Sequence, residues 1–458
     1  MLLHSTKLAA SLALLLLGPV AFAVPFGSYD TRSMAMGGVG VALGEADAAP
    51  LFNPALLSVA NDEDRFSILI PSISARVADP DKLINSIDQF QTGNYVSNLQ
   101  TSTTSLQSAI TAINASTPAT ITTDIANVGI QAGTVSADLS ALNSQLTALS
   151  NKPIAAEAGA AAVVSIPGRR QGLAFYANAN VTSGGLFQYK DAALLATLIN
   201  QTQCLATAAA MPTSTPAEIA AATAAIQACT PPSFTSSQLN SGIDFRGVAL
   251  GEIGFSLSRV YYINNRSVAF GITPKIVKAQ LYDAPISVNS NASSFNSADY
   301  RADYTFLNFD WGVAKYFRHG WRAGFVIKNV IPQFLDFKNA IAPGTTPIAN
   351  GNTLTLRPQA RMGVSRSNAW STVALDIDIT RNDPVGLENF TQYIALGGEL
   401  NAWDWAQVRA GYRFDVVDSS RSVASIGLGL SPFGVHADIA VAGNATEIGA
   451  SAQIGFRY

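Results

Sequence analysis

The last eight residues, SAQIGFRY, constrain the fold of this chain more than any other stretch. Small or polar positions (Ser451, Gln453, Gly455, Arg457) alternate strictly with apolar ones (Ala452, Ile454, Phe456, Tyr458). Period two marks a strand with one wet and one apolar face. Either an upstream sheet or lipid has to cover the apolar face.

Composition favours lipid. Charged residues make up only 13% of the chain, against roughly 25% in average globular proteins, and the mean hydropathy is +0.22. Yet no later segment supplies the roughly 20 apolar residues of a spanning helix. The nearest, AALLATLINQTQCLATAAAM, is interrupted by Asn200, Gln201 and Gln203. Apolar on average without a spanning helix is the signature of a transmembrane β-barrel, in which outward apolar residues are diluted by inward polar ones. The first 23 residues, with Lys7, an apolar run from Leu8 to Val20 and Ala21-Phe22-Ala23, read as a signal peptide cut after Ala23. A net charge of −3 gives no footprint for nucleic acid. Cys204 and Cys229, in an exported chain and with no His nearby, are expected to form a disulfide rather than a metal site.

The alternation recurs upstream. STVALDIDIT sets Val373, Leu375, Ile377 and Ile379 against Asp376 and Asp378, and AQVRAGYRFD sets Val408, Tyr412 and Phe414 against Arg409 and Arg413. TLTLRPQARMGV continues the pattern, with Pro358 expected to mark a bulge. Counting back gives strands near 65–77, 157–167, 171–182, 244–260, 266–282, 301–316, 321–330, 355–366, 370–380, 392–401, 405–415, 421–430, 434–443 and 446–457. These are about fourteen antiparallel strands, the even number a single-chain barrel requires. Short connections alternate with long ones (78–156, 183–243, 283–300, 331–354, 381–391), as periplasmic turns alternate with outer loops, so both termini are expected on the periplasmic side.

Two insertions change the pattern. In 80–156, aliphatics step by three and four through Val96, Leu99, Leu106, Ile110 and Ile113, then from Ile121 to Leu149, with Pro118 between the runs. This predicts an antiparallel helical hairpin. In 190–230, Thr215-Pro216-Ala217-Glu218 predicts a capped helix in a second hairpin, tied by the cysteines. The insertions would serve as a lid, as a docking surface for a protein partner, or as neutral loop growth. The apolar seam at 121–149 discriminates, by packing on its own hairpin or facing outward.

Parity places Arg357, Arg361, Asp376, Asp378, Glu399, Arg409, Arg413, His436, Asp438, Glu447 and Arg457 on the lumenal face. His436 and Asp438 invite a catalytic reading, but lumenal charges ordinarily pair with one another and with a plug. The mature chain has only His319 and His436, so neither a triad nor a metal site is expected. No enzyme activity and no cofactor follow from these residues. Gly427 and Gly429 mark either an opening in the wall or room for a plug.

The segment RSMAMGGVGVALGEADAAPLFNPALLS, apolar, Gly-rich and without a clean period, precedes the first strand. Through Met36-Gly37-Gly38, Ala42-Leu43 and Phe52-Asn53-Pro54-Ala55 it resembles the lumenal plug of FadL-type long-chain fatty acid transporters. Over the whole chain the resemblance is closer to the conjugal transfer TraF-like branch. The resemblance implies a signal peptide (1–23), an N-terminal hatch (24–64) and a barrel (65–458). It also implies a diffusion channel for hydrophobic compounds in the bacterial outer membrane, with Gly37, Gly38, Phe52, Asn53, Pro54 and Ala55 in the hatch. QIGFRY resembles the C-terminal signal read by the outer-membrane insertion machinery. The alternative function is a surface or conjugation-linked assembly component, with the barrel as an anchor for partner-binding loops.

Overall fold

The computed structural model describes residues 22–23, 30–43, 45–58, 65–263, 266–287, 297–338, 353–382, 390–402 and 405–458. Residues 1–21 of the expected signal peptide, and 24–29, 44 and 59–64 of the expected hatch, lie outside them.

Fourteen strands close into one antiparallel barrel. They are β1 Ser67–Ala78, β2 Pro153–Ile166, β3 Gln171–Gln188, β4 Gly242–Ile263, β5 Arg266–Ser287, β6 Arg301–Tyr316 and β7 Trp321–Lys328. β8 Gln359–Ser367, β9 Ser371–Asp378, β10 Tyr393–Ala402, β11 Ala406–Asp415, β12 Val423–Leu430, β13 Val435–Gly443 and β14 Glu447–Arg457 complete it. Each strand expected from the alternation is present. β14 pairs with β1, from Glu447 opposite Ala78 to Arg457 opposite Ser67. Closure leaves no open edge, which a bilayer would not tolerate. No described helix is long and apolar enough to cross a membrane.

Inward and outward faces separate cleanly. On β14, Glu447, Ser451, Gln453 and Gly455 are buried inside, while Ile448, Ile454 and Phe456 are exposed outside. Aromatics collect at the end of the short turns: Tyr262, Trp321, Trp370, Trp405, Phe433 and Tyr458 are all exposed. Phe433 is 101% exposed and holds a left-handed φ of 55°, a conformation uncommon for an aromatic residue. Exposure on this scale suits a membrane–water interface, where aromatic girdles flank the apolar band.

Among the described residues, the long-loop end carries five α-helices, α3 Leu83–Thr92, α4 Tyr95–Ile113, α5 Ile121–Leu149, α6 Ala192–Ala209 and α7 Pro216–Ala228. (α1 and α2 lie in the lumen, below.) The first insertion thus holds three helices rather than a simple hairpin. Both insertions also share one core, in which Leu99, Leu106, Val135, Leu139, Leu205 and Ile226 meet. The α5 seam, Ile125 through Leu149, is buried within this layer and faces no solvent. The capping box forms as expected: the Thr215 hydroxyl accepts from the Glu218 N–H at 3.3 Å, and the Glu218 carboxylate accepts from the Thr215 N–H at 2.9 Å. Cys204 and Cys229 are disulfide-bonded, tying α6 to the end of α7.

One expected strand divides. Thr353–Leu356 belongs to a separate hairpin with Gln333–Asp336, and β8 starts only at Gln359. Pro358 sits in the break rather than in a bulge, because its missing N–H is harmless where neither pairing continues. Arg357 shares this break, half-buried, so it does not stand on a wall strand as the parity expected. The hairpin buries Leu335, Phe337, Leu354 and Leu356 against Val248, Leu250, Val277 and Leu281 of β4 and β5.

Candidate functional site: a plugged lumen

Residues 30–58 fill the lumen without adding a strand. They comprise the short helices α1 Thr31–Ala35 and α2 Ala49–Phe52, then a 3-10 turn Pro54–Ser58. Asp30 caps α1 by accepting from the Ser33 N–H at 2.7 Å. Gly37 and Gly38 both have positive φ, 75° and 95°, which turns the chain away from α1 at little steric cost. A Cβ on Gly37 would press 2.8 Å from the backbone of Tyr412 in the wall.

The wall is bare where the segment touches it. A Cβ added at Gly397 or Gly411 would overlap Met36 or Gly37, and one at Gly427 would overlap Ala35. Across the lumen, a Cβ at Gly312 would overlap Asn53, one at Gly324 Val41, and one at Gly271 Ala55. These glycines from six strands let backbone lie against backbone. Gly427 makes room for the segment and marks no opening in the β12–β13 register. Gly429 instead makes room for Arg409 and Asp438. Asn53, fully buried, donates to the carbonyls of Val41 and Val313, each at 3.1 Å, and accepts from the Ala55 N–H. It thereby bridges segment and wall. Phe52 packs with Leu51, Leu69, Val163 and Tyr176.

Charge ties the segment to one side of the barrel. Arg32 donates twice to Glu399, at 2.8 and 2.6 Å, and pairs with Glu45 at 2.9 Å. Arg457 pairs with Asp47 at 3.0 Å and with Glu45, and His436 Nε2 lies 3.0 Å from Asp47. Arg409 joins Glu399, at 2.6 Å, to Asp438. Asp376 accepts from the N–H groups of Gly40 and Val41, and Arg361 pairs with Asp378 while reaching the Gly38 carbonyl. Nearer the long-loop end, Glu447 takes Arg76 at 2.8 Å and Arg413 at 3.0 Å. Burial pushes the Asp30 carboxyl up to about 6, with Asp47 and Asp438 adding to the rise against the Ser33 hydrogen bond. Burial also opposes the charges of Glu45 and Asp47, yet Arg32 and Arg457 for the first, and Arg457 and His436 for the second, hold both below the usual carboxylate range.

His436 and Asp438, though both inward, face different partners: the first meets Asp47 and the second Arg409 and Gln453. Among the described residues no group of three His, Cys, Asp or Glu could hold a metal ion. The opposite wall carries a cluster that inspection of the sequence missed. Lys275, 3% exposed, pairs with Glu252 and Asp310, each at 3.0 Å, and Lys328 donates to the Leu51 carbonyl. Extending the inward parity to β4–β7 would have found these residues.

The family model described as "F plasmid transfer operon, TraF, protein" matches residues 50–378. No curated protein matches the sequence. Among solved structures, the Pseudomonas putida toluene transporter TodX is 12% identical with a TM-score of 0.43, covering 95% of this chain and 99% of its own. A TodX deletion mutant, titled a monoaromatic hydrocarbon channel, is 10% identical with a TM-score of 0.47, covering 94% and 99%. The CymD monoaromatic hydrocarbon channel is 11% identical with a TM-score of 0.32, covering 95% and 99%.

Proposed function

The chain belongs to the family of the F plasmid transfer operon TraF protein, and from that premise we propose that it is a passive outer-membrane channel for hydrophobic small molecules. Residues 30–58 act as its hatch, a signal peptide at 1–23 exports it, and both termini are periplasmic. The observation that carries this reading is the way the lumen is filled. A segment without strand pairing lies on bare glycines, and its ion pairs to the wall run to β10, β13 and β14. Such a plug can shift as a body while the barrel ladder stays intact. A barrel serving only as an anchor has no need of a removable filling. The partner-docking alternative also loses its best feature, since the α5 seam is consumed inside the helical layer.

Mass spectrometry of small molecules that co-purify with the extracted protein tests the proposal, alongside a variant lacking residues 24–58. A stoichiometric hydrophobic ligand, lost from the variant, is the expected result. No ligand above the detergent background, with a protein recovered through the loops instead, would overturn it.

A further inference from the structure

The long-loop end of the lumen opens into a cavity of about 400 Å³. Its lining comes from the starts and ends of β1, β2, β3, β10 and β14, the segments beside them and the β11–β12 loop. Arg76, Tyr393 and Glu447 are among these residues, as are the hydroxyl side chains Thr391, Ser420 and Thr446. Ala78, Pro80, Pro153 and Leu186 supply an apolar part. The buried charges around it are already matched, whereas Asp81, also in the lining, sits at the solvent-exposed rim. Arg76 pairs with Glu157 at 2.7 Å and with Glu447 at 2.8 Å, and Arg421 faces Asp418 at 3.5 Å. Arg413, which reaches Glu447 from below and lies 4.5 Å over the Tyr393 ring, stands above Gly38 of the hatch, where an added Cβ would come to 4.0 Å from its Cδ.

We propose that this cavity is an entry site for a neutral amphiphile, with an apolar body and one uncharged hydrogen-bonding end such as a hydroxyl. A charged end seated at the Arg76–Glu447 pair would have to break it and strand its partner, the costly outcome for a buried ion, while the exposed Asp81 and the partly exposed Arg421–Asp418 pair offer a charge little in return. A neutral polar end meets the Thr391 hydroxyl and those of Ser420 and Thr446, which already donate to Asp418 and Asn444 and still accept, while the body covers Ala78, Pro153 and Leu186. A purely apolar ligand leaves those hydroxyls uncovered and loses that part of the selection. The site's purpose rests on the channel reading. Its existence is tested by binding rather than transport, so either claim can fail without the other.

The experiment measures equilibrium binding of three probes to the full chain in nanodiscs, with empty nanodiscs subtracted: 1-naphthol, naphthalene and 1-naphthoate. Saturable binding of 1-naphthol at one site, at least tenfold tighter than either other probe, is expected. Thr391→Val, nearly isosteric, and Ala78→Trp, which fills the cavity, should each weaken it tenfold, with heat-modifiable gel mobility confirming a closed barrel. Naphthoate binding as tightly as naphthol would overturn the selection against charge. Equal binding of naphthalene would overturn the role of the hydroxyls, and naphthol binding unchanged by both substitutions would place the ligand elsewhere.

Discussion

Gly411 of β11 lies directly under the turn from Met36 to Gly37, so any side chain there intrudes on the hatch backbone. Gly411→Val should destabilise hatch packing by about 1–3 kcal/mol, the usual scale for overpacking. Faster hydrogen exchange across residues 31–58, with unchanged barrel mobility on gels, is the expected readout. Asp30 gives a pH signature. Its carboxyl, raised to about 6 by burial, takes up a proton more readily with the hatch seated than released. Stabilisation from that proton is full below the ordinary carboxylate value of about 4 and is lost as pH rises through 6, amounting to about 3 kcal/mol over the two units. Hatch protection, corrected for intrinsic exchange rates, should therefore be greater at pH 5 than at pH 7.5, and Asp30→Asn should flatten the difference. Glu45 and Asp47, held low by their arginines, keep their charge throughout this window. Gly37 and Gly38 stood out in the sequence, but their partners in the wall did not. Six strands lie between Gly271 and Gly427 either way around the barrel, and only the closed fold shows that both face one segment.

At the scale of elements, the strands were legible because each carries its own period-two signal, which lipid on one side and polar lumen on the other enforce. The hairpin of Gln333–Asp336 with Thr353–Leu356 shows where that signal misleads. Leu354 and Leu356 alternate as a wall strand does, yet they face Leu335 and the inner surface of β4 and β5. Alternation reports a two-sided environment and not which apolar surface provides it. The helices were legible for a related reason, since heptad steps persist whether the partner is one helix or four. That the two insertions fuse into one layer is a long-range property with no local mark. The layer should melt separately from the barrel. Leu139→Ala, at a fully buried seam position, should cost it about 2–5 kcal/mol, read as loss of helical circular dichroism at lower temperature. Opening the Cys204–Cys229 bridge, which spans a sequence separation of 25, should cost about 3 kcal/mol and lower the same transition.

For the whole molecule, the account joins a lipid-faced closed wall, a lumen filled by residues 30–58 and a helical layer over β2 to β4. Sorting of loop lengths gave the two ends of the barrel, although two connections on the long-loop side, 416–422 and 444–446, are themselves short. The aromatic ring at the other end supports the same orientation. The central claim is that the hatch must move for solute to pass, and a reversible tether tests it. Thr31 Oγ1 and Ser451 Oγ lie 2.6 Å apart, joining hatch to wall. That spacing is close enough for a disulfide in the double variant Thr31→Cys, Ser451→Cys. Uptake of an apolar aromatic solute into vesicles carrying this variant would be followed before and after reduction, with the unsubstituted chain as the control for Cys204–Cys229. Uptake abolished when oxidised and restored on reduction is the expected result. Equal uptake in both states would contradict a moving hatch.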